Sequence, residues 1–97
     1  MVIMKVIVMY DVSDDRVREM LANRLQKLGL TRVQRSVFIG WGNNQKLRDI
    51  ERLASRLINP KTDVVHIVPI DESYWRRVKV IGTPYNSKRV LKVVTIV

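Results

Sequence analysis

Apolar residues near the start of the chain form a continuous run rather than an alternation. Val6-Ile7-Val8-Met9-Tyr10 gives way abruptly to the acidic residues Asp11, Asp14 and Asp15. So short and unbroken a run reads as a strand buried on both faces, and it delivers the Asp11 carboxylate to the edge of a core. Ser13 stands where a helix cap is wanted, and Asp14 and Asp15 supply the acidic first turn that a helix N-terminus favours. Val17, Met20, Leu21, Leu25 and Leu28 then recur at helical spacing, with Gly29 as the stop. The opposite face carries Arg16, Arg18, Arg24 and Lys27.

From Thr31 to Trp41 the composition favours strand, with Val33, Val37, Phe38 and Ile39 as its apolar members. The pattern fits either one long strand or a tight hairpin broken near Arg35-Ser36, where no Gly or Asn marks a turn. Asn43 and Asn44 are caps for a second helix with Leu47, Ile50, Leu53, Ala54 and Leu57 on one face, closed by Asn59-Pro60. Asp63 to Pro69 reads as another buried strand, within which His66 is a packed core or interface side chain.

Strand, helix, one or two strands, helix, strand is the order of a ferredoxin-like α+β domain, in which two helices cover one face of an antiparallel sheet. The single domain spans residues 1–97. Beyond the βαββαβ unit come Tyr74-Trp75-Arg76-Arg77, a short apolar piece from Val78 to Ile81, a break at Gly82-Thr83-Pro84, and an apolar run from Val90 to Val97. An extra C-terminal strand with no place in its own sheet invites an edge elsewhere, so residues 86–97 read as a tail that docks on a partner, first of all the second copy in a homodimer.

Composition sharpens this picture. At 97 residues the core is marginal, and association is the natural supplement. Eighteen Lys and Arg against nine Asp and Glu give a net charge of +9, which favours a polyanion such as nucleic acid. With no Cys and one His, disulfides and Cys/His metal sites are excluded, and any metal must be held by oxygen. The N-terminal apolar run, interrupted by Lys5, has neither the length of a membrane span nor a cleavage pattern, so the expected location is the cytoplasm.

A lone aspartate at a strand end often only caps the next helix. In a dimer whose two-fold axis passes near Asp11, however, two carboxylates would share one Mg²⁺ or Mn²⁺, ions content with few carboxylates and several waters. Arg18, one helical turn beyond Asp14, and Arg32 and Arg35 beside the central strand region would then converge on a phosphate backbone. Arg24 reads as part of a solvated helix face. Trp41 and Trp75 stand beside Gly and Arg, a setting in which aromatics fill interface gaps more often than they stack on bases.

Three segments together carry a resemblance: Tyr10-Asp11-Val12-Ser13-Asp14-Asp15-Arg16-Val17-Arg18, then Leu28 to Phe38 with its Arg32-Val33-Gln34-Arg35-Ser36-Val37-Phe38, then Val65 to Pro69. They resemble the small universal CRISPR-associated protein of the adaptation module, the Cas2 family. The resemblance implies a ferredoxin-like homodimer acting in spacer acquisition and antiviral defence, with a metal-dependent endonuclease activity on RNA or double-stranded DNA in some members. It also implies a scaffold role between dimers of a CRISPR adaptation integrase. Carried over by position, Asp11 matches the catalytic, metal-binding aspartate, Tyr10 its strand neighbour, Arg18 and Arg32 the basic site residues, and Phe38 the aromatic of the central strand. Ser36 falls in the turn between two strands. Met20 departs from the pattern, standing where some members have a second helix arginine. Two further functions compete with a nuclease: a non-catalytic architectural subunit that holds duplex DNA and bridges the integrase, and a ribonuclease toxin of similar small fold.

Overall fold

Alternation along β1 (Met4–Asp11) sets the layout of the molecule. Met4, Val6, Val8 and Tyr10 point to one side and are buried, while Ile7, Met9 and Asp11 point to the other and are partly or fully exposed. The computed structural model describes residues 3–83 and the pair Thr95–Ile96. After β1 come α1 (Asp15–Lys27), β2 (Thr31–Gln34), β3 (Val37–Gly42), α2 (Asn44–Leu57) and β4 (Val64–Ile70). The four strands form one antiparallel sheet in the order β2-β3-β1-β4, the ferredoxin-like arrangement expected from the element order.

Arg35 and Ser36 form the turn of a hairpin, so Thr31 to Gly42 is two strands, with a register shift between Arg32 and Gln34. The cap of α1 differs from expectation and that of α2 agrees with it. Asp14, not Ser13, caps α1 by accepting from the Val17 amide at 3.0 Å, and Asn43 caps α2 by accepting from the Lys46 amide at 2.9 Å. Gly29, at φ +94°, takes the left-handed conformation that ends α1, a conformation strained for any residue with a Cβ.

Both helices lie on the side of Val6 and Val8. Leu21 and Leu25 of α1 and Ile50 of α2 pack there with Phe38, all fully enclosed. At Gly40 the backbone of β3 passes so close to the segment after α1 that a Cβ would sit 3.2 Å from Gly29 O and from Leu30 Cα. Met20, expected in the apolar stripe of α1, is 37% exposed, because Val17, Leu21 and Leu25 already fill the face that meets the sheet.

Among the described residues, the second face of the sheet carries neither α1 nor α2 and is met only at its Lys5 end by the Trp75 ring. The strand register places Lys5, Ile7, Met9 and Asp11 of β1 there, beside Val37, Ile39 and Trp41 of β3 and Val64, His66, Val68 and Ile70 of β4. The run from Val6 to Tyr10 and that from Val64 to Val68 are therefore apolar on both faces but covered by their own chain on one. His66, expected in the core or at an interface, is exposed in the single chain and so is not a core residue.

Beyond the sheet, α3 (Glu72–Trp75) is a single turn that buries Trp75. β5 (Val80–Ile81) pairs in parallel with β6 (Thr95–Ile96) as a separate two-stranded ribbon. Apart from Thr95–Ile96, the proposed docking tail at 86–97 lies outside the described residues. Among the described residues no helix is long and apolar enough to cross a membrane.

Candidate functional site

Asp11 is the last residue of β1 and lies opposite Val64 of β4, on the bare face. It is exposed, and among the described residues its carboxylate makes no hydrogen bond or ion pair. The backbone around it is held from two sides. The Tyr10 amide donates to Ser36 O at 3.1 Å, which ties the end of β1 to the β2–β3 turn. Arg18 reaches back from α1 and donates from Nη1 to Val12 O at 2.9 Å, while its other nitrogen pairs with Asp15. Two roles expected of these residues are thus partly occupied by structure: Ser36 acts through its carbonyl, and Arg18 braces the strand-to-helix loop.

The third restraint was missed in the sequence. Asp63, just before β4, accepts from the Ser13 amide at 3.1 Å and from Ser13 Oγ at 3.0 Å. It also accepts from the Asn59 amide at 3.0 Å and from Thr62 Oγ1 at 3.0 Å. The amides of Asn59 and Ser13, reinforced by the two hydroxyls, pull its carboxyl down from 3.8 to about 2. Ser13, free of the capping task that Asp14 performs, pins the loop that follows Asp11.

The arginines meet in a cleft of about 390 Å³ between the start of α1 and the β2–β3 turn. Arg18, Arg32, Arg35 and Ser36 line it together with the acids Asp15 and Glu19. Arg35 is exposed and has no ion pair among the described residues. Arg32 lies with its guanidinium 5.1 Å from the centre of the Phe38 ring, a cation–π contact. Phe38 in turn stacks on Tyr10 with ring centres 6.1 Å apart. Phe38 is fully buried and Tyr10 is 6% exposed, so neither is open to nucleic acid. Their place is beneath the site, where Phe38 supports Arg32. Among the described residues, the Tyr10 hydroxyl and Arg32 Nε are buried without a hydrogen-bond partner.

On the bare face, Lys5 is a second feature the sequence did not announce. It is 8% exposed, with Nζ 4.3 Å from the ring centre of Trp41 and 5.0 Å from that of Trp75. Burial lowers its pKa. Trp75 is thereby committed to packing, and Trp41 is 45% exposed beside it.

As a cation site, Asp11 offers one hard carboxylate with no competing partner among the described residues. Among the described residues no group of three or more Asp, Glu, His or Cys is placed to hold a metal ion. The donor set fits Mg²⁺ or Mn²⁺, which retain waters, provided a second carboxylate joins the first.

A βαββαβ antiparallel sheet with α1 and α2 packed on one face makes this a ferredoxin-like α+β protein. The chain belongs to the family of CRISPR associated protein Cas2, whose model matches residues 4–78. It is 35% identical over 86 residues to the CRISPR-associated endoribonuclease Cas2 2 of Pyrobaculum aerophilum, covering 89% of this chain and 94% of the relative. It is 37% identical over 67 residues to the CRISPR-associated endoribonuclease Cas2 of Korarchaeum cryptofilum, covering 69% and 72%. Among solved structures, Streptococcus pyogenes Cas2 at pH 6.5 superposes with a TM-score of 0.69 at 28% identity, over 81% of this chain and all of that one.

Proposed function

We propose that this protein is a nucleic-acid-binding homodimer of CRISPR adaptation whose paired Asp11 residues form a metal-dependent phosphodiesterase centre. The observation that carries this reading is the position of Asp11: a carboxylate with no bond among the described residues, on the sheet face opposite α1 and α2 together with Ile7, Met9 and Val68. Apolar side chains on that face need a cover, and a second copy is self-complementary by symmetry. Packing two copies there would bring two Asp11 carboxylates to one site.

Each part of the chain then has a task. The two Asp11 carboxylates would hold Mg²⁺ or Mn²⁺, which when bound supplies an activated water and stabilises charge on the phosphodiester. Hydrolysis would add a water oxygen to phosphorus, break one P–O bond and pass a proton of that water to the leaving oxygen. Arg35 and the exposed part of Arg32 bind neighbouring phosphates, which positions the strand without reading its sequence. Arg18, Ser36 and Asp63 hold the backbone on either side of Asp11, so the carboxylate does not have to be ordered when substrate arrives. The relatives' names, endoribonuclease in two cases and endonuclease in a Thermus thermophilus homologue, support a nuclease.

A second reading is favoured by the sparse donor set: a non-catalytic subunit that holds duplex DNA and bridges an integrase. One experiment separates the two. Wild type and Asp11→Ala are assayed on single-stranded RNA and on duplex DNA, with Mg²⁺ and with chelator, while binding is followed by anisotropy. The nuclease reading expects metal-dependent cleavage that vanishes in Asp11→Ala while binding persists. Cleavage retained by rigorously purified Asp11→Ala places the activity elsewhere, and intact binding without cleavage by wild type selects the architectural subunit.

A further inference from the structure

The helix side of the molecule holds a groove of about 320 Å³ between α1 and α2, away from the uncovered sheet face. Arg24 and Lys27 of α1 and Arg52 and Arg56 of α2 form its rim. Its floor is Leu28, Leu53 and Leu57, which pack on the core from below and stay half-exposed above. Among the described residues the one acid in its lining, Asp49, is already engaged by Gln45 Nε2 at 2.8 Å and by Arg52 at 4.0 Å. Arg24, Lys27 and Arg56 have no ion pair among the described residues.

Cations in the last turns of α1 and α2 complement the helix dipoles. The dipoles do not account for the leucines left between them. Apolar floor and cationic rim together match a ligand with the inverse pattern, so we infer that this groove docks an acidic amphipathic segment of a different protein, its apolar side chains on the leucines and its carboxylates on the rim.

A second copy of this chain is a poor occupant. Of its two pairs of adjacent acids, Asp14 is the α1 cap, Asp15 pairs with Arg18 and Glu72 pairs with Arg76, which leaves Asp71 as the single member without a side-chain bond among the described residues. Residues 84–97 contain no acid and carry Lys88, Arg89 and Lys92. A phosphate backbone would neutralise the rim but leave the leucines in water. The inference does not depend on the nuclease reading, because the groove and Asp11 lie on opposite sides of the sheet.

The test uses the full chain and three labelled probes followed by anisotropy: a helical peptide with one leucine and one glutamate face, a peptide of equal charge with serine in place of leucine, and a short DNA duplex. Two charge-matched variants are compared, Arg24→Gln/Arg56→Gln in the groove and Arg16→Gln/Arg48→Gln outside it. Thermal melting confirms that each is folded. Docking predicts that the leucine peptide binds wild type about tenfold more tightly than the serine peptide. It also predicts that the groove variant loses about tenfold for the leucine peptide while the outside variant loses less than about threefold. Equal binding of the two peptides, or no binding of either, overturns the inference. A loss of duplex affinity specific to the groove variant assigns the groove to nucleic acid instead.

Discussion

Ser13 and Asp63 stand 50 positions apart in the chain and are joined by two hydrogen bonds, from the Ser13 amide at 3.1 Å and from its hydroxyl at 3.0 Å. The pair closes the end of the sheet where Asp11 emerges, by fastening the loop after β1 to the segment before β4. A charged acceptor taking several amide and hydroxyl donors makes stronger bonds than a neutral one.

Because the carboxyl of Asp63 titrates near about 2 when folded rather than at 3.8, its contribution to stability is complete above about pH 4 and is lost as the pH falls toward 2. Asp63→Asn should therefore melt at a lower temperature than wild type at pH 6, with the gap narrowing as the pH is lowered to about 2. Melting curves by circular dichroism across that interval check this. A gap that stays constant with pH would mean that charge on Asp63 does not matter to the clamp.

Gly40 tests the close passage of β3 past Leu30. A methyl there must displace backbone, Gly29 O and Leu30 Cα both at 3.2 Å, so Gly40→Ala should destabilise the fold by about 1–3 kcal/mol. Urea unfolding gives the value. A change within about 0.5 kcal/mol, usual for surface substitutions, would show that the segment after α1 yields freely.

Met9, 38% exposed beside Ile7, probes whether the bare sheet face is where two copies meet. A carboxylate buried there would have only the His66 imidazole, opposite it on β4, as a partner, so Met9→Asp should weaken self-association by roughly 3 kcal/mol, about a hundredfold, while far-ultraviolet circular dichroism is unchanged. Sedimentation equilibrium measures it. An undisturbed dimer would move the interface to another surface.

Salt dependence addresses the arginine cleft. Affinity for duplex DNA should fall steeply with ionic strength and vary little with sequence, and Arg35→Gln should reduce the log–log slope by about 0.9 if Arg35 holds one phosphate. Arg18→Gln should behave differently. It also removes the bond to Val12 O, so it should lower thermal stability as well as affinity. A flat salt profile for wild type would argue against phosphate contacts.

Much of the fold was legible because it is written in short-range patterns. Helical spacing placed Leu21, Leu25 and Ile50 in the core, and the continuous run from Val6 to Tyr10 marked the central strand. The cap of α1 was missed by one position, since Ser13 and Asp14 are both good capping residues and only the competing bond to Asp63 decides between them. The site was legible in part. Asp11, Arg18, Arg32 and Arg35 could be picked out by type and place, but the burial of Tyr10 and Phe38 beneath Arg32 depends on which face of the sheet the helices cover. The Asp63 clamp and the cradle of Lys5 between two indoles join residues distant in sequence, so no local pattern announces them. The apolar character of both faces of β1 was visible because the run from Val6 to Tyr10 does not alternate with polar residues.

The cradle around Lys5 also determines what light sees. The chain has two tryptophans, both against one ammonium group, Trp75 enclosed and Trp41 45% open to solvent. Intrinsic emission is therefore a gauge fixed to a single spot on the bare face, with one fluorophore set to report polarity and the other packing. Covering that face should shift the spectrum to the blue, and filling the leucine groove on the helix side should leave it dark to the event, so an unlabelled sample distinguishes occupancy of the two sides by colour alone.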